Sequence, residues 1–83
     1  NTSLSFHQNT TVDAQVQRFN GKDLRSQAVE NIGDHTFTKI QLYNGLTGNT
    51  DVFYFLPFKD GVLIYKTNEY ATDDALTLSS LQF

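Results

Sequence analysis

Residues Val52 to Lys66 read VFYFLPFKDGVLIYK, the densest apolar and aromatic run in a chain of 83 residues. Asp60-Gly61 between two apolar segments is a strong hairpin signal, because a tight turn needs positive φ and these residues supply it at little cost. A two-residue turn at Asp60-Gly61 pairs Phe58 with Leu63, Leu56 with Tyr65 and Tyr54 with Thr67 on one face, and Pro57 with Ile64 and Phe55 with Lys66 on the other. A three-residue turn with a bulge at Gly61 sets Phe58 against Val62 and Phe55 against Tyr65. Both registers leave apolar side chains on both faces, whereas a sheet with one solvated face reads polar there. One face is therefore expected in the core. For the second, three readings stand: the N-terminal segment or the last strand folds over it, the sheet coils into a half-barrel, or an aromatic patch is left for a partner. Pro57 has no N–H to give a ladder and belongs at an edge, a bulge or a strand end.

Working outward, residues 19–33, FNGKDLRSQAVENIG, carry helix signals. Asn20 is a candidate N-cap, Asp23 stands at N3, Phe19 and Leu24 are placed for a hydrophobic staple, and Gly33 suits the C′ position. Leu24, Ala28 and Ile32 with Val29 form a narrow apolar stripe, which predicts a helix over about 20–32 lying on a sheet. Residues 35–43, HTFTKIQLY, read as a strand, and 44–50, NGLTGNT, as the hairpin loop into Val52. Residues 3–7, SLSFH, alternate as a short strand or a docked arm. Residues 12–19 fit two templates: Val12, Ala14 and Val16 alternate as in a strand, the preferred reading, while Val12, Val16 and Phe19 also fit a helical stripe. ALTLSSLQF at 75–83 offers a final strand. The expectation is a single α+β domain over 1–83, one helix packed on a four- to five-stranded, mainly antiparallel sheet.

Composition bounds the function. There is no cysteine, which removes disulfides, thiolate zinc sites and cysteine nucleophiles. Net charge is −3, with Arg18, Lys22 and Arg25 as the one basic cluster, which argues against nucleic-acid binding. No apolar run approaches a membrane span. The chain starts at Asn1 and holds no Met, which suggests processing or excision from something longer. Asn, Gln, Ser and Thr make up 28 of the 83 residues against only 6 Lys plus Glu, a weakly charged polar surface that points to an extracellular or cell-surface setting. The sequons at Asn1 and Asn9 occur about as often as chance allows.

Residues for catalysis are sparse. His7 and His35 are the two histidines, no serine has a nucleophile-elbow context, and Asp34-His35 would point to opposite faces of a strand. Asp73-Asp74 with Glu69 reads as a solvated acidic turn, and NGLTGNTD at 44–51 lacks the acid density of an EF-hand loop. The reading is therefore a non-enzymatic interaction module without cofactor or metal, binding a protein partner or itself through Phe53, Phe55, Pro57, Phe58 and Tyr65 of the hairpin and Asn44 and Asn49 of the adjoining loop, or along an open sheet edge. The alternative is a structural subunit or excised domain of a larger extracellular or viral assembly; a small enzyme ranks third.

Overall fold

The computed structural model describes residues 3–19 and 24–68. They form β1 (Ser3–Gln8), α1 (Val12–Gln17), β2 (Leu24–Ile32), β3 (His35–Asn44), β4 (Asn49–Phe58) and β5 (Gly61–Asn68). The five strands make one antiparallel sheet in the order β1-β5-β4-β3-β2. β2 to β5 are consecutive hairpins, and β1 returns to pair with β5. The fold is mainly β with one short helix, so the α+β expectation holds only in part.

The chief correction concerns the predicted helix over 20–32. Its described part, Leu24–Ile32, is strand β2, and Asn20 to Asp23 lie outside the described residues. A spacing of four is also a multiple of two, so Ala28 and Ile32 satisfy a strand's alternation as well as a helix's stripe, while Leu24, four residues earlier, is carried to the other face by a bulge. Gly33 is not a helix cap but the first residue of a two-residue turn, with φ +61, joining Ile32 to its partner His35. The bulge, between Leu24 and Ser26, puts Leu24 opposite Leu42.

The helix sits at Val12–Gln17, where the strand reading was preferred. Thr11 caps it: its Oγ1 accepts from Ala14 N at 3.1 Å and its carbonyl from Gln15 N at 3.0 Å. Gln15 is buried and tied at both ends, donating to Thr10 Oγ1 and accepting from Arg18 Nη1, each at 3.1 Å. Val12, Val16 and Phe19 pack on one face of the sheet against Ile40, Leu42, Phe55 and Val62.

The opposite face carries a second buried cluster of Ile32, Phe37, Val52, Tyr54, Leu56 and Tyr65. Apolar side chains on both faces were legible in the central hairpin, though neither the burial of the second face nor the register was. Phe58 pairs with Gly61 and Pro57 with Val62, so the turn is Lys59-Asp60, one residue earlier than the expected two-residue turn and one residue shorter than the expected three-residue turn. The positive φ falls on Lys59, at +54. Gly61 serves a different need: a Cβ there would fall on the His7 carbonyl oxygen and within 2.9 Å of Gln8 Cα, so only glycine lets β1 approach. Asp60 adds to that junction, its carbonyl accepting from Asn9 N at 2.8 Å and its carboxylate from Gln8 Nε2 at 2.9 Å. Pro57 lies past the end of the β3–β4 ladder, whose register stops at Thr38 and Phe55, so no N–H is missed. Of the segments expected over the second face, the N-terminal one divides, with Ser3–Gln8 as β1 within the sheet and α1 with Phe19 packed over one face, and 75–83 lie outside the described residues.

Candidate functional site

The β3–β4 loop is built by its own side chains. Asn44 pairs with Asn49 at its base, the Asn44 carbonyl accepts from Gly48 N at 2.8 Å, and Asn44 Oδ1 accepts from Leu46 N at 3.0 Å. Thr47 Oγ1 accepts from Asn49 N at 3.2 Å, and Gly48 supplies φ +73. Leu46 at the tip is 98% exposed.

Beside this loop, on the face that α1 covers, lies an open cleft of about 340 Å³ lined by Phe19, Leu42, Tyr43, Asn44, Asp51 and Phe53. Its apolar wall is the Phe19 ring, tilted over Phe53 with centroids 4.8 Å apart. Its polar rim is Asn44, whose Nδ2 donates to Asp51 Oδ2 at 3.3 Å. Arg25 lies 4.9 Å from the Tyr43 ring centre and Lys66 Nζ 5.7 Å from that of Phe53. A second, polar hollow of about 320 Å³ shares Asn44 and Asp51 and adds Asn49, Lys66 and Asn68.

Of the seven residues singled out in the sequence, the structure gathers Asn44, Asn49 and Phe53 around these hollows. Phe55 is fully buried and Tyr65 is 7% exposed in the other cluster, so both side chains are engaged in the core and offer no surface. Pro57 is exposed and Phe58 half-buried, with Phe6 edge-on to Phe58 at 5.9 Å; five residues along β4 put Phe58 about 17 Å from Phe53. Sequence reasoning missed Phe19, Tyr43, Asp51 and Lys66 as lining residues. Asp51 was within reach, since it shares the parity of Asn49 and Phe53 along β4; Phe19 comes from a distant element and carried no local sign.

The histidines stay apart. His7 is on edge strand β1, where its Nε2 meets Ser5 Oγ at 3.1 Å, and His35 begins β3, three strands away. Among the described residues no three His, Asp or Glu side chains converge on a metal position, and no helix is long and apolar enough to cross a membrane. Asp73-Asp74 and Glu69 lie outside the described residues. One resolved pKa shift falls on the face opposite the cleft: burial disfavours the Lys39 ammonium, but Tyr54 and Glu30 outweigh this and hold Lys39 above the ordinary lysine range.

Fold and site together define a class: a small antiparallel sheet, apolar on both faces, with an aromatic and amide-lined cleft at one end. Compared with protein-family models, with curated proteins and with solved structures, the chain matches none.

Proposed function

We propose that this chain is a non-enzymatic binding module, secreted or displayed at a cell surface, that engages a protein partner at the Asn44 to Phe53 end of its sheet. The observation that carries this reading is the convergence of Phe19 and Phe53 with Asn44 and Asp51 on one open cleft, an apolar wall beside paired amide and carboxylate groups. Such a mixture suits an extended peptide, whose side chains take the apolar wall and whose backbone meets the rim. The protruding Leu46 adds apolar contact area. The extracellular setting draws its support from the amide- and hydroxyl-rich, lysine-poor composition.

The test is selection of a random displayed peptide library on the folded domain. The reading expects selected peptides to shift the amide resonances of Tyr43 to Phe53, and to lose affinity about tenfold or more with Asn44→Ala or Phe53→Ser. Selected peptides that map elsewhere, or a library that yields none, would sink it. A second reading, a structural subunit of a larger extracellular or viral assembly, is favoured by the exposed edge strands β1 and β2.

A further inference from the structure

Strand β2 forms one edge of the sheet, and among the described residues no strand lies beyond it. Leu24 to Val29 are all exposed, Val29 to 69%. An edge of this kind presents a row of unpaired N–H and C=O groups, and proteins that must avoid pairing shorten it, bulge it, or place Lys or Pro along it. β2 uses these devices sparingly: its nine residues hold neither Pro nor Lys, the bulge is confined to Leu24/Ser26, and the one charge in the regular stretch Ser26 to Ile32 is Glu30, which Lys39 of the same chain neutralises.

That regular stretch is self-complementary. A two-fold axis through Val29 sets Val29 against Val29 of a second copy, Gln27 against Asn31, Ala28 against Glu30 and Ser26 against Ile32. All of the regular stretch is used. The most exposed apolar side chain of the strand is buried on its own image, amides meet amides, and no like charges stand directly opposite. On the other face, Lys39 lies beside Ala28 in the ladder and 3.5 Å from Glu30. The pairing therefore gathers two lysines and two glutamates, with the small Ala28 between each Lys39 and the second copy's Glu30. Shifting the axis to Gln27 loses this: it sets Glu30 against Leu24 at the bulge.

We infer that β2 is a homodimer interface, joining two copies edge to edge in antiparallel register about Val29 into a continuous ten-stranded sheet. The inference rests on the assembly reading and names its surface and its partner, a second copy of this chain. It is independent of the cleft at Asn44 and Phe53.

The experiment is light scattering and sedimentation of the chain from micromolar to millimolar concentration, where a 9.4 kDa monomer should give way to a species of twice that mass. Val29→Lys places two ammonium groups face to face and should weaken the dimer about tenfold or more with the circular dichroism unchanged. In a cysteine-free chain, Val29→Cys should cross-link rapidly under mild oxidation, because facing antiparallel residues lie within disulfide reach. Leu4→Cys, on the opposite edge, should not. A monomer at every concentration, a dimer indifferent to Val29→Lys, or equal cross-linking through Leu4→Cys would each overturn the proposal. So would open-ended polymers abolished by Leu4→Lys, which would mark head-to-tail addition of β1 to β2 instead. A dimer lost with Phe53→Ser but kept with Val29→Lys would place self-association at the cleft and reject the edge.

Discussion

At the scale of single residues, the β4–β5 turn carries a local conflict. Lys59 holds φ +54, where an L side chain crowds its own carbonyl at a cost of about 1 kcal/mol or more. Glycine removes that crowding but gives the unfolded chain more freedom, so Lys59→Gly should raise stability by about 0.5 to 1 kcal/mol net. Thermal melting checks this, with Lys59→Ala as the control that keeps the strain and should gain nothing. Thr67 is a second such residue: it is 1% exposed, and its Oγ1 has no hydrogen-bond partner among the described residues. Thr67→Val keeps the shape and removes the stranded hydroxyl, and should stabilise by about 1 kcal/mol in a urea titration.

At the scale of elements, the cap of α1 is its most local support. A helix of six residues is far too short to persist unaided, so Thr11→Ala, by freeing the Ala14 amide, should cost about 1 kcal/mol. The near-ultraviolet signal of the Phe19, Phe53 and Phe55 rings should weaken with it; an unchanged melting curve would show that packing by itself holds the helix. The same element explains what was legible in the chain. β1 and β3 announced themselves by alternation, and the two central hairpin strands by continuous apolar runs on either side of turn residues. β2 and α1 were exchanged because the bulge that moves Leu24 to the other face of β2 leaves no sign in the sequence, and because spacings of four, Ala28 to Ile32 and Val12 to Val16, satisfy both periods. Only an odd offset separates them, and Phe19, seven residues after Val12, was that signal for a helix. Within the site, Asn44, Asn49 and Phe53 were legible because the loop and strand that hold them are contiguous. Phe19 reaches the cleft through helix packing, and no local pattern encodes that.

At the scale of the whole molecule, the sheet is stabilised from both faces, and Lys39 stands on the face opposite α1 with its ammonium between Tyr54 and Glu30. Its pKa is raised on folding. The charged form is therefore favoured by the native state, and this contribution is fully present below the lysine value of the unfolded chain, about 10.4, and is lost as pH climbs through the higher folded value. Urea midpoints measured against pH should fall on the alkaline side, and Lys39→Met should flatten that fall; parallel declines in both proteins would refute the assignment. β1 touches this sheet differently from the other strands. Its partner β5 is more than 50 residues away along the chain, while β2 to β5 are joined by short turns. Closing that long loop is slow relative to zipping hairpins, so the meander should form first and β1 should dock last, into the space that Gly61 leaves open. Gly61→Ala should then destabilise by about 1 to 3 kcal/mol and express nearly all of it as faster unfolding, with the folding rate unchanged. A side chain that was never there thus acts as a clock: the missing Cβ of Gly61 governs how long the native sheet keeps its first strand.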